Sequence, residues 1–240
     1  MRSGNVYTIS AFVKVCYLDV ECYYTWYVYA SVGLIYCVSM QQILVIPGGA
    51  AFETTAEYIE YLYAREVSLA EITGRDWKAN LGTDLGPRYQ VIRPVMPNSW
   101  NARYAEWKIW FDKIMPLLDD GVICVGHSLG GIFLAKYLSE APCAIRIKAL
   151  FLVAAPFNTA TKHPLVDFNI LNNLALLAQQ VPKIFLYHSQ DDHIVPFYNM
   201  LGYQVLLPQS IDRVFTDRKH FNGSEFPELV SDFTRLAYDE

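Results

Sequence analysis

The chain has 240 residues, of which 53% are hydrophobic and 18% charged, a balance that supports one large buried core and excludes a disordered protein. A net charge of -5 with no lysine or arginine cluster argues against a nucleic-acid partner. There is no internal repeat, no phosphate-binding glycine-rich loop and no His/Cys/Asp cluster at metal-ligand spacing, so neither a cofactor nor a metal is expected.

Residues 22 to 52 carry no charged side chain, and Tyr23 to Val38 is long enough to suggest a membrane span. Its many tyrosines, Asp19 and Glu21 just before it, and the lack of a basic start or a small-residue cleavage site argue against an anchor or a signal peptide. Residues 1–39 are therefore expected to form an N-terminal extension outside the fold, with a start codon assigned too early as the leading explanation. A membrane anchor through residues 22–39 is the alternative. The five cysteines, Cys16, Cys22, Cys37, Cys124 and Cys143, include no Cys-x-x-Cys pair, which fits a reducing cytoplasm.

From Met40 onward apolar runs alternate with amphipathic stretches. The pattern predicts a strand at 43–46, a helix at about 55–69 and a short helix and loop at the domain edge within 71–88. A strand at about 89–95, a helix at about 102–118 and a strand at 122–125 follow. Next come the helix around 132–138, strands at 149–153 and 183–187, a helix beginning near Pro196, a strand at 213–215 and a closing helix at 225–238. This alternation specifies an α/β fold in residues 40–240, a mostly parallel sheet with helices on both faces in three layers. The segment 155–181 interrupts the rhythm, with a loop ahead of a Leu/Ala-rich helix, and is where a lid would form. Its apolar residues Phe157, Leu165, Phe168, Ile170 and Leu171 are read as packing on the sheet before any role in an acyl pocket.

Directly behind the run Val122-Ile123-Cys124-Val125 stands Gly126-His127-Ser128-Leu129-Gly130-Gly131. This is the Gly-x-Ser-x-Gly nucleophile elbow, in which small residues two places either side of the serine let strand and helix pass closely. The Leu129 N–H, at the start of the following helix, is the expected first oxyanion donor to a substrate on Ser128. The second is expected from Pro47-Gly48-Gly49-Ala50 after the first strand, with Gly48 and Gly49 as candidates; which amide between Gly48 and Phe52 points inward is left open. After the strand at 183–187, Asp191 and Asp192 compete as the acid. Asp192 is preferred because Asp-x-x-Val-Pro matches the acid loop of many such hydrolases. His220, late in the chain before the closing helix, completes the order Ser, Asp, His. His127, His163, His188 and His193 are read as structural or substrate-lining, and Cys124 as a buried small hydrophobe.

With these residues in view, the chain from about Met40 resembles the small serine hydrolases of the YdeN and retinoblastoma-binding-protein-nine type, within the α/β-hydrolase superfamily. The resemblance rests on Val45-Ile46-Pro47-Gly48-Gly49, Val95-Met96-Pro97-Asn98, the elbow, the Asp191-Asp192 loop and His220-Phe221-Asn222. It departs at Lys219, where such proteins usually place glycine. The resemblance implies a compact, nearly lidless hydrolase of small carboxylic esters or amides. An acyltransferase or thioesterase using the same triad is the chemical rival, and a protein-binding module on the same fold is the alternative of another class. Neither the natural substrate nor the oligomeric state is specified.

Overall fold

Valine, isoleucine and leucine dominate the runs expected as strands at 43–46, 122–125 and 149–153, and these and the other expected runs each form a strand. The computed structural model describes residues 25–28, 35–38, 40–158, 164–170 and 173–236, in two compact units, Met1–Ser39 and Met40–Glu240. In the first unit β1 (Thr25–Val28) and β2 (Ile35–Val38) pair antiparallel. The remainder of the expected extension lies outside the described residues.

The second unit is built on six strands: β3 (Gln41–Ile46), β4 (Tyr89–Ile92), β5 (Val122–His127), β6 (Ile147–Val153), β7 (Ile184–Ser189) and β8 (Ile211–Phe215). All their pairings are parallel, in the order β4-β3-β5-β6-β7-β8. The direction of winding reverses beside β3, so the C-terminal ends of β3 and β5 flank the crevice in which open α/β sheets hold ligands.

Residues alternate across the sheet. Leu44, Ile46, Cys124, Leu150 and Leu152 face one core, which α4 (Tyr104–Ile114), α5 (Leu129–Glu140), α6 (Ala175–Gln180) and α7 (Tyr198–Leu206) cover. Ile43, Val45, Ile123, Val125, Phe151 and Val153 face the other, covered by α3 (Trp77–Leu85) and α8 (Pro227–Leu236). Strands buried on both faces read as continuous apolar runs, which is why they stand out in the sequence. The first core is organised around Phe133, whose ring meets Trp107 at 5.4 Å and Phe111 at 5.2 Å in edge-to-face contacts.

One helix differs from expectation. The helix expected over 55–69 is α1 (Thr55–Ala64) followed by a separate α2 (Leu69–Thr73). Thr54 caps α1 by accepting from the Glu57 amide, but the helix buries no residue, so no core contact carries it further. Arg65 turns to extended backbone and sets its guanidinium over the Trp100 ring. The short helix expected at the domain edge is α3, which lies by the edge strand β4 and is seated by fully buried Trp77 and Leu81. In the segment 155–181, Phe168 and Ile170 are buried in the first core, while Leu171 lies outside the described residues.

Replacing Phe133 by alanine removes the hub of that ring cluster. Phe133→Ala is expected to cost about 3–5 kcal/mol in denaturant unfolding, whereas Val95→Ala, at a side chain 86% exposed, is expected to change stability by less than about 0.5 kcal/mol.

Candidate active site

β5 ends and α5 begins within one residue, and that residue is Ser128. Its backbone sits at φ 56° and ψ -124°, a region that costs a non-glycine residue about 1–3 kcal/mol and persists only where its surroundings over-determine it. Here they do. The Ser128 amide donates to the Val153 carbonyl at 2.8 Å and its carbonyl accepts from the Gly131 amide at 2.8 Å. The neighbouring glycines are required by space: a Cβ on Gly126 would lie 2.5 Å from the Gly130 carbonyl oxygen, and one on Gly130 would lie 2.4 Å from that of Ile46. The expected close passage of strand and helix is therefore present, with α5 starting at Leu129, directly at the elbow.

The loop after β3 comes up against the serine. A Cβ on Gly48 would stand 3.0 Å from Ser128 Cβ and 3.5 Å from its Oγ. The Ala50 amide donates to the Ser99 carbonyl at 2.9 Å, which removes it from the amides left open by the sequence. Ser99 also lines a cleft of about 640 Å³ together with Tyr58, Met96, Trp100 and Arg103. A second groove, of about 560 Å³, lies between β8 and α8; neither groove is lined by a candidate site residue, but the first adjoins the loop after β3 through Ser99.

The two aspartates have separate tasks. Asp192, buried, accepts from His220 Nδ1 at 2.7 Å through Oδ2 and from the Ile194 and Val195 amides at 2.9 Å through Oδ1. Asp191, exposed, accepts from Ser189 Oγ at 2.5 Å and from the Lys219 amide at 2.9 Å. The Ser189 hydroxyl is the first cause of the lowered Asp191 pKa. Asp191 thus clasps the turn ahead of His220, and Asp192 holds the imidazole. Lys219, where the resemblance calls for glycine, adopts φ 48° and Phe221 adopts φ 53°, so His220 stands between two left-handed residues. No hydrogen bond joins Ser128 Oγ to His220 among the described residues; catalytic contacts of this kind often tighten only once substrate is bound.

The other histidines are accounted for differently. His188 Nε2 donates to the Val195 carbonyl at 2.8 Å and stands 3.8 Å from Asp192 Oδ2; burial is the main cause that pulls its pKa down. His127, buried, points away from the serine into contacts with Lys78 and the His220 backbone. His193 is exposed, and His163 lies outside the described residues. Sequence reasoning missed Trp77, whose indole Nε1 donates to the Phe221 carbonyl at 2.8 Å. The one available signal was a large aromatic directly after Asp76, a helix-capping residue type. Cys124 is buried, which pushes its thiol pKa far up and keeps it an inert part of β5. Among the described residues, no group of three or more His, Cys, Asp or Glu is placed to hold a metal ion, and no helix is long and apolar enough to cross a membrane.

No family model matches the chain. In sequence it is similar to the serine hydrolase RBBP9 of Rattus norvegicus, with 26% identity over 152 residues that span 62% of this chain and 78% of the relative. In fold it is similar to the ydeN gene product of B. subtilis, with a TM-score of 0.60 at 16% identity, covering 83% of this chain and 100% of that one. It is likewise similar to a meta-cleavage product hydrolase (CumD) of Pseudomonas fluorescens, with a TM-score of 0.55 at 16% identity over 83% and 89% of the two chains. The six-stranded parallel sheet and these structural likenesses show the α/β-hydrolase fold, and in sequence the chain is similar to a serine hydrolase.

Proposed function

We propose that this chain is a serine hydrolase that cleaves small carboxylic esters or amides through Ser128, His220 and Asp192. The observation that carries the reading is the buried 2.7 Å pair of Asp192 Oδ2 and His220 Nδ1, formed between loops that follow β7 and β8, in a chain whose elbow presents a strained serine after β5. Asp192 fixes the tautomer by accepting the Nδ1 proton, which leaves Nε2 free to act as base. Nε2 takes the Ser128 proton as Oγ attacks the acyl carbonyl. The same proton then passes to the leaving alcohol or amine, giving an acyl-enzyme. Water, deprotonated by His220, attacks that ester and releases the acid, and the proton returns to Ser128.

Charge developing on the carbonyl oxygen falls to the Leu129 amide and to an amide of Gly48 or Gly49. Leu129 opens α5, whose aligned peptide dipoles favour negative charge at that end. Gly49 packs tightly in place, since a Cβ there would meet the Ser99 carbonyl oxygen at 2.5 Å. The cleft lined by Met96, Ser99 and Trp100 is of the size that takes a small acyl group. The similarity to the serine hydrolase RBBP9 supports the same chemistry.

A fluorophosphonate probe is expected to label Ser128, identified in the modified peptide by mass spectrometry, and the label is expected to vanish in Ser128→Ala. A folded protein that takes no label would overturn the assignment. On an activated ester, Asp192→Asn is expected to lower kcat by about 10³–10⁴-fold, while Asp191→Asn stays within about threefold; the reverse pattern would move the acid to Asp191.

The buried histidines also set an acid limit. His127 and His188 are held below the ordinary histidine pKa, in both cases first by burial, and in His127 next by the Lys78 charge. For each, the unfolded chain binds a proton that the folded chain refuses. Their stabilising contribution is thus present above about pH 6.5 and is lost as the pH falls below it, by up to about 1.4 kcal/mol per unit for each histidine. Denaturant unfolding at pH 7.5 and pH 5.5 is expected to show the drop, and His188→Gln is expected to lessen it.

A further inference from the structure

The proposed triad accounts for His220 Nδ1 but not for what holds the His220 backbone. The loop that carries it is unfavourable by itself, because Lys219 at φ 48° and Phe221 at φ 53° both occupy the left-handed region. Such a turn relaxes by rotating a peptide plane, and rotation of the plane between residues 220 and 221 would swing the imidazole. Within the turn, the Phe221 amide of that plane donates to the Arg218 carbonyl at 2.9 Å; from outside the turn, the plane is fixed from the elbow. His127 Nε2 lies 2.8 Å from the His220 carbonyl oxygen, so this nitrogen must carry the proton and donate it. Nδ1 is then the acceptor, and Lys78 Nζ stands 3.5 Å from it.

Lys78 is itself secured. Its ammonium pairs with Asp76 at 2.5 Å and lies over the Trp77 ring, 5.0 Å from the centroid, with only 11% of the side chain exposed. The same helix holds the next carbonyls of the loop: Trp77 Nε1 donates to Phe221, the Trp77 amide to Gly223 at 2.9 Å, and Asn80 Nδ2 to Ser224 at 3.0 Å. These last three bonds all hold carbonyls beyond the His220–Phe221 peptide plane. Among the described residues, only His127 grips the carbonyl of His220 itself.

We propose that His127, backed by Lys78, is a positioning residue that sets the distance between nucleophile and base. His127 precedes Ser128 in the chain, so one hydrogen bond joins the residue next to the nucleophile to the backbone of the base. This link bypasses the longer path through β5, β6, β7 and β8. A base displaced by about 1 Å loses on the order of 10²-fold in rate, which is the scale of effect the link can control. This inference rests on the assignment of Ser128 and His220 as nucleophile and base.

The test measures kcat and KM for p-nitrophenyl acetate in the whole protein, with folding monitored by melting temperature. His127→Phe keeps a ring but loses both polar contacts, and is expected to lower kcat about 10- to 100-fold with KM changed less than about twofold. His127→Gln, whose amide nitrogen can reach the same carbonyl, is expected to restore kcat to within about threefold of the parent. Placed in a His220→Ala background, His127→Phe is expected to cost less than about twofold more, because a residue that acts through the base has nothing left to position.

A kcat within about twofold of the parent in His127→Phe, or an equal loss with and without His220, would overturn the proposal. Should His127→Phe fail to fold, Lys78→Met carries the test from the outer end of the link: a three- to tenfold loss in kcat is expected, about the scale of one weakened contact, and an unchanged kcat would overturn it. Parent-like turnover in Ser128→Ala or His220→Ala would instead strike the triad assignment. Loss in those two variants with parent-like His127→Phe would strike the positioning role alone.

Discussion

The closeness of α5 to the strands beside it is the constraint from which the rest of the site follows. With room for no more than a hydrogen on Gly126 and Gly130, the chain cannot leave β5 gradually, and the whole change of direction falls on Ser128. Strain is thereby stored where a side chain must stand clear of the sheet. It is held there by tight backbone packing from three directions: β3 below the helix, β6 through the Val153 carbonyl, and the first turn of α5. A core close-packed to crystal density transmits such a constraint instead of absorbing it.

The sheet then distributes the remaining groups. Each proposed participant follows a different strand: Gly48 and Gly49 after β3, Ser128 after β5, Asp192 after β7 and His220 after β8. The central strands β3, β5, β6 and β7 are largely apolar and buried, the outer strands β4 and β8 are only partly so, and the proposed groups stand in the loops at the strands' C-terminal ends. Those loops are stiffened by local polar contacts. Ser189 and Asp191 tie the acid loop to the base loop through the Arg218 and Lys219 amides, so the Asp192–His220 pair is framed by a second set of bonds that carries no proton.

Much of this was legible in the sequence for one reason: parallel strands buried on both faces must be apolar without interruption, and elbow glycines must be glycine. Ser128, Asp192 and His220 could be picked out because the fold orders its loops along the chain, and the structure brings Asp192 and His220 into direct contact. Less legible were features decided by contacts between distant segments. The choice between Asp191 and Asp192 rested on a short pattern, whereas the difference between them in the structure is one of burial and partner. That Ala50 is committed to the Ser99 carbonyl depends on a pairing across about fifty residues, to which no local pattern points. Trp77 and Lys78 looked like members of an edge helix because their partners, Phe221 and His127, lie far away in sequence. Lys219 reads as a misfit in a glycine position, and its φ of 48° shows that the turn is made all the same, with the Asp191 carboxylate holding its amide.

The cleft beside the loop after β3 has walls of unequal firmness. Met96 is buried against the sheet, and Ser99 is bonded to the loop after β3, but Tyr58 belongs to α1, which buries no residue. A helix so held opens at a small fraction of the free energy that unfolds the domain. Widening the cleft on that side therefore leaves the strained serine and its partners undisturbed. If the proposed reading holds, the range of acyl groups admitted and the rate of the chemistry fall to separate parts of the molecule, so one can change without the other.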